Sequence, residues 1–299
     1  MMALQRTSSL RGVLLVQEPM AKHTTWRVGG PADHYYTPAD VEDLAQYLAQ
    51  LPDGEPIMWV GLGSNLLVRD GGIRGTVIAT NGVLNAIERL DGDRVRAGCG
   101  APCAIVARFC TREGLAGAEF LSGIPGSFGG ALAMNAGCFG GETWKLVEEV
   151  ETIDRHGVRN VRKPGDFEVG YRHVKGPEGE WFLSAVLKLQ RGDSEALAAQ
   201  TRVLLEKRNR TQPTQQPNAG SVFRNPVGDY AARLIETTGL KGYCIGGACV
   251  SERHANFIVN LGKATAADIE ALIEKIAEMV ERSHGVRLRR EVHIVGEAK

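Results

Sequence analysis

The sequence has no surplus of charge of either sign. Lys and Arg total 35, and Asp and Glu total 35, so the formal net charge is zero. No overall field draws in nucleic acid or an anionic membrane, and anion binding has to come from local groups. Long apolar runs are missing too, since none approaches the ~20 residues that a bilayer crossing requires. Near the start only Val13-Leu-Leu-Val16 is apolar, too short for the core of an export signal. The expectation is a cytoplasmic protein with no membrane or nucleic-acid partner. Cysteine is present but unpatterned. Cys99, Cys103, Cys110, Cys138, Cys244 and Cys249 include no C-x-x-C pair, and no histidine stands at zinc spacing from them. No metal site is expected, and the thiols are expected to be reduced and buried as small hydrophobes. His23, His254 and His293 also lack ligand spacing and read as structural.

What the sequence does have is glycine in two concentrated turns. From Gly123 to Gly141 glycines occupy positions 123, 126, 129, 130, 137, 140 and 141. Without a Cβ the main chain turns sharply and can aim successive N–H groups into one concavity, which suits a diphosphate. A smaller turn, Val60-Gly-Leu-Gly-Ser-Asn65, follows an apolar run (Ile57, Met58, Trp59, Val60) that reads as a buried strand. Either turn alone also reads as a loop without a ligand. Together they favour a large phosphate-bearing cofactor held from two sides. Neither is a Rossmann fingerprint, because Leu66 stands where the third glycine belongs and residues 67–72 run into another turn.

The periodicity along the chain indicates an α+β protein with mixed sheets. Asp40 can cap a helix whose apolar face is Val41, Leu44 and Leu48. Pro102 suits the first turn of a helix presenting Ile105, Val106 and Phe109. Residues 76–80, 94–97, 147–153 and 181–189 read as strands. A helix with Leu197, Thr201, Leu204 and Leu205 on one face leads into Lys207-Arg-Asn-Arg210 and a polar link over 211–220. The domain boundary is placed near 192. Further on, Thr265 caps a helix with Asp268 three residues later, and Gly285 stops it. A closing strand then puts Val286, Leu288, Val292 and Ile294 on one face, with Glu291 on the other beside Arg289 and His293.

Three polar residues stand out as candidates for chemistry. Ser221 follows a glycine turn in Asn218-Ala-Gly-Ser-Val-Phe-Arg-Asn-Pro226, Arg172 follows the glycine of Val169-Gly-Tyr-Arg172, and Glu291 faces away from the apolar stripe. Each also has a plain reading: a turn serine bonding local backbone, a surface arginine, a solvated strand glutamate. No G-x-S-x-G elbow surrounds Ser221, which argues against a serine hydrolase.

Seven ordered segments bear on the choice. They are His23-Thr-Thr-Trp-Arg-Val-Gly-Gly-Pro-Ala-Asp33, Gly61-Leu-Gly-Ser-Asn65, Ile124-Pro-Gly-Ser-Phe-Gly-Gly130 with Met134-Asn-Ala-Gly137, Gly170-Tyr-Arg172, Ala219-Gly-Ser-Val-Phe223, residues 246–260 around Ser251-Glu-Arg-His-Ala-Asn256, and Glu291-Val-His-Ile-Val-Gly296. In this order, over residues 20–296, the chain resembles the UDP-N-acetylenolpyruvoylglucosamine reductase (MurB) family, in its shorter second type. The resemblance implies a two-lobed FAD-binding domain of the vanillyl-alcohol-oxidase-like type over 1–191, with lobes at about 20–90 and 91–191, and a C-terminal α+β substrate domain over 192–299.

It further implies non-covalent FAD, NADPH as hydride donor, and reduction of UDP-N-acetylglucosamine enolpyruvate to UDP-N-acetylmuramate by a cytoplasmic monomer. Gly61, Gly63, Ser64, Asn65, Gly123, Gly126, Gly130, Asn135 and Gly137 match the flavin-contacting positions. Arg172 matches the residue that holds the substrate carboxylate, Glu291 the one that presents a proton to it, and Ser221 the acid that protonates C2. Two positions depart from the family pattern: Val174 replaces a common serine, and Thr211 a common lysine. Contact with the UDP diphosphate is therefore expected from Arg208, Arg210 or Arg224, with Asn225 and Asn256 at the uridine or sugar. A flavin oxidase of the same superfamily, or a silent flavin-binding module, would keep the glycine turns but gives no reason for Ser221, Arg172 and Glu291 together.

Overall fold

A computed structural model describes residues 10–299; the opening positions of the expected 1–191 domain lie outside the described residues. The chain divides into two compact units that are interleaved in sequence. The first comprises residues 10–16, His34–Gly61 and Gly75–Ala198, and the second Gln17–Asp33, Leu62–Arg74 and Ala199–Lys299. The expected boundary near 192 differs from this in two ways. The late break falls within helix Ser194–Thr211, and two early segments join the C-terminal unit.

The first unit is built on a five-stranded antiparallel sheet in the order 159–162, 147–154, 180–188, 94–98, 87–90. Pro102 is the N-cap of helix Cys103–Arg112, with extended backbone, one position before the first turn in which it is expected. With the short helix Phe128–Ala133 it encloses a core that includes Val106, Leu121, Phe128, Leu132 and Leu187. A second core gathers around helix Val41–Ala49, which Asp40 caps through Asp43 N. Strand Ile57–Val60 runs parallel to 73–79, with Val60 opposite Ala79. The glycine turn beginning at Gly61 therefore leaves from the carboxyl end of a parallel strand.

The second unit packs around helix Ala266–His284. Thr265 and Asp268 form a reciprocal capping box, Gly285 ends the helix at φ 69°, and Ile269, Leu272, Ile273, Ile276 and Val280 point inward. The two early segments belong here for specific reasons. Trp26 is wholly buried, its Nε1 donating to Ile258 O at 2.8 Å while Asn260 Nδ2 donates to Trp26 O at 2.8 Å. The carboxylate of Asp70 accepts from Ala266 N and Ala267 N at the start of the long helix, where the helix dipole favours a negative charge. Strand 66–68 pairs in parallel with 293–295.

Several local expectations need correction. Of the apolar face expected for helix 194–211 only Leu197 is buried. The closing strand is regular only over His293–Val295, although Leu288 and Val292 are buried as the alternation predicts. Not all cysteines are reduced, because Cys244 and Cys249 form a disulfide across the hairpin of 244–245 and 248–250. Their register places the two Cα atoms 4.1 Å apart. The free thiols Cys99, Cys103 and Cys110 are buried, and burial pushes each up to about 12, which leaves them protonated and inert. No helix among the described residues is long and apolar enough to cross a membrane.

Candidate active site

In the first unit the glycine turns border a cavity of about 280 Å³, whose walls include Trp59, Gly61, Thr80, Ser127, Gly130 and Glu180. Trp59 stacks on Trp181 at 5.5 Å, and its Nε1 is buried without a hydrogen-bond partner. A buried unpaired donor is costly unless a ligand acceptor completes it. Glu180 also faces the cavity. It receives a close bond from Arg162 and one at 2.6 Å from Thr152 Oγ1, and Arg162 holds its carboxyl below the usual range. The cavity wall thus carries a neutralised ion pair rather than a bare negative charge.

The glycines are there partly for protein packing. A Cβ on Gly61 would fall 2.0 Å from Ser127 Oγ, and one on Gly63, at φ 66°, would fall 2.0 Å from His23 O. Gly130 differs, since its Cβ would meet only Ser127 Oγ at 3.4 Å, leaving its cavity side open. Gly123 and Gly126 flank the Ile124–Pro125 turn, where Gly126 O accepts from Cys103 N at 2.9 Å. Close approach of chain to chain accounts for Gly61 and Gly63 as fully as approach to a ligand does.

Arg172 lies at the tip of the hairpin made by 168–170 and 173–175, at φ 53°. Its Nη2 donates to Gly137 O at 2.7 Å and its Nη1 to Asn135 O at 3.3 Å. These bonds tie it to the second half of the glycine stretch, so it is not a loose surface arginine. Val174 is a partly buried residue of the cavity wall.

The second unit brings Ser221 and Glu291 onto adjacent stretches of backbone. Glu291 N donates to Val222 O at 2.8 Å, and Arg224 N donates to Arg289 O at 2.9 Å. Asn65 Nδ2 donates to Glu291 O at 3.1 Å, and His293 N donates to Asn65 O at 3.0 Å. Asn65, expected at the flavin, therefore also fixes the segment that carries Glu291; Ser64 beside it is half-buried. Ser221 follows Gly220, whose φ of 73° and N–H bond to Asn218 Oδ1 at 2.9 Å shape the turn. No hydrogen bond of the Ser221 hydroxyl is seen among the described residues, and both Ser221 and Glu291 are half-buried.

Among the expected substrate contacts, Arg224 gains a reason and Asn256 loses one. Arg224 Nε is buried without a hydrogen-bond partner, as suits a guanidinium awaiting an anion. Desolvation and the Arg224 charge hold His293 below the usual histidine value. Asn256 is 4% exposed, and both ends of its amide are engaged by Phe223, accepting from N at 3.0 Å and donating to O at 2.8 Å. It holds the segment beside Ser221 in place, so its amide is not free to reach uridine or sugar. Asn225 is exposed, with Oδ1 accepting from Ala231 N at 3.1 Å. Arg208 Nε donates to Gln212 Oε1 at 3.2 Å, and Arg210 is exposed. Asn256→Ala is expected to lower stability, because it orphans two buried backbone groups at a cost on the order of 1–3 kcal/mol each. An unchanged urea midpoint would refute this role.

Residues 32–161 match the family model of an FAD binding domain, and residues 212–295 match that of the UDP-N-acetylenolpyruvoylglucosamine reductase C-terminal domain. The chain is 60% identical over 299 residues to the UDP-N-acetylenolpyruvoylglucosamine reductase of Alkalilimnicola ehrlichii, covering 100% of both chains. To the protein of the same name from Methylococcus capsulatus it is 58% identical over 297 residues, covering 99% of this chain and 98% of that one. Among solved structures, UDP-N-acetylenolpyruvylglucosamine reductase from Thermus caldophilus matches with a TM-score of 0.81 and 34% identity, covering 95% of this chain and 99% of that one. The first unit suits FAD by its own chemistry, with the unpaired Trp59 donor, the open face of Gly130 and a charge-neutral wall on one cavity.

Proposed function

This chain belongs to the UDP-N-acetylenolpyruvoylglucosamine reductase family, and from that premise we propose that it is a UDP-N-acetylmuramate dehydrogenase. It is an oxidoreductase with FAD as its cofactor. The proposed reaction reduces the enolpyruvyl ether of UDP-N-acetylglucosamine enolpyruvate with NADPH in the cytoplasm, a step in peptidoglycan precursor synthesis that serves cell shape and division. Bound FAD supplies a two-electron carrier between the nicotinamide and a carbon acceptor. Hydride equivalents end at C3 of the ether, a proton ends at C2, the C2=C3 bond is lost and NADP⁺ is released.

The residues of the chain manage the charge and the proton. Hydride addition at C3 leaves negative charge on C2 and the adjoining carboxylate, which is costly unless donors are already in place. Arg172, braced by the carbonyls of Asn135 and Gly137, offers its guanidinium to that carboxylate. Glu291 presents a proton to the same group. Ser221 gives its hydroxyl proton to C2; a hydroxyl is a weak acid, but a carbanion-like enolate is base enough to take it. The unpaired Arg224 Nε supports Arg224 as the contact for the diphosphate, with Arg208 and Arg210 as secondary contacts and Asn225 left for uridine or sugar.

The observation that carries this reading is the Glu291 N to Val222 O bond, which sets the proposed acid beside Ser221. Acid precipitation is expected to release FAD into the supernatant, and the native protein to convert NADPH and the enolpyruvyl nucleotide to UDP-N-acetylmuramate in equal amounts. Flavin left in the pellet would refute the non-covalent cofactor, and NADPH oxidation without that product would refute the reaction.

A further inference from the structure

Two loops of the first unit meet at Arg172, and one buried amide ties them together. Asn135 is 3% exposed. Its Nδ2 donates to Gly170 O at 3.0 Å, and its Oδ1 accepts from Trp144 N at 3.1 Å. A peptide N–H can only donate and a carbonyl only accept, so these partners fix the orientation of the amide. Trp144 is itself locked, with Nε1 donating to Leu132 O at 2.8 Å and its ring against Phe167 at 4.7 Å. The main chain of the same Asn135 then receives Arg172 Nη1.

Both ends of this link lie in the left-handed region, Asn135 at φ 46° and Arg172 at φ 53°. Asparagine tolerates that conformation, whereas arginine adopts it when its surroundings impose it. The bond to Gly170 O acts two residues before Arg172, at the base of the two-residue hairpin tip. The side chain of Asn135 thus sets the hairpin backbone, and its carbonyl, with that of Gly137, sets the plane of the guanidinium.

We propose that Asn135 is a positioning residue for Arg172, holding the guanidinium in the orientation that a substrate carboxylate requires. The proposal rests on the reading that Arg172 meets that carboxylate. It assigns the Asn135 side chain to the arginine hairpin rather than to the cofactor.

The test uses the FAD-loaded protein and compares Asn135→Asp with wild type. Aspartate keeps the size and the acceptor for Trp144 N but loses the donor to Gly170 O. The ¹⁵N signal of the Arg172 guanidinium, assigned by its loss in Arg172→Lys, is expected to move towards that of free arginine in Asn135→Asp. Single-turnover reaction with the enolpyruvyl nucleotide is expected to slow by about 10²-fold, as for a misplaced reacting group, while flavin reduction by NADPH is unchanged. In an Arg172→Ala background Asn135→Asp is expected to add no further loss, because it acts through the arginine. An unmoved guanidinium signal, or losses that multiply in the double variant, would overturn the proposal. Wild-type protein that fails with the enolpyruvyl nucleotide would instead sink the functional reading, and the guanidinium signal would still decide the role of Asn135.

Discussion

Ser221→Ala is expected to leave flavin reduction by NADPH intact and to slow the reaction with the enolpyruvyl nucleotide by about 10²–10⁴-fold, the usual cost of a missing general acid. The loss should fall towards the upper end. The Ser221 hydroxyl makes no hydrogen bond among the described residues, so nothing local is broken when it is removed. Folding should be untouched for the same reason, since Val222 and Phe223 carry the packing and Asn256 holds the segment. Stopped-flow measurement of the two half-reactions separates the outcomes. Equal slowing of both would make Ser221 a structural residue.

Glu291→Ala is expected to cost roughly 3–4 kcal/mol in the enolpyruvyl step, the value of one donor to a developing oxyanion. Glu291→Gln keeps an N–H donor and nearly the same shape, so it should be the milder change. The two backbone bonds at this position, to Val222 O and from Asn65 Nδ2, involve main-chain atoms and survive both substitutions. No apolar core contact is lost in either variant, so thermal stability is expected to hold. If the step is unaltered in Glu291→Ala, or if its loss follows a fall in melting temperature, Glu291 is no more than a solvated or structural carboxylate.

Some of this was legible in the sequence because its cause is local. The helix 266–284 has its cap, its apolar spacing and its stop within its own residues, and it appears as read. The strand before Gly61 was equally plain as a strand, but of its four residues only Val60 is buried. What escaped was set by contacts distant in sequence. Trp26 and Asp70 belong with the C-terminal unit through Ile258 and Ala266, and no local pattern announces such partners. The disulfide depends on a register that sets Cys244 opposite Cys249, where the C-x-x-C rule does not apply. Asn256 resembled a substrate contact by motif position, but its amide closes on Phe223, thirty-three residues away in sequence. Asn135 shows the same limit, since its motif suggested the flavin while its side chain serves Gly170 and Trp144. The unpaired nitrogens of Trp59 and Arg224 carry no sequence signal, because burial alone makes them informative.

With FAD bound as the two-electron carrier, the proposed reaction would reduce an enolpyruvyl carbon at the expense of NADPH. A single anaerobic absorbance trace tests it most directly. The purified protein should be yellow, bleach on addition of NADPH, and stay bleached until the enolpyruvyl nucleotide is added, when the colour should return within the turnover time. Recovery on admitting oxygen but not on adding the nucleotide would identify an oxidase. A chromophore that NADPH never bleaches would leave only a flavin-binding module, and either result would contradict the proposed reaction.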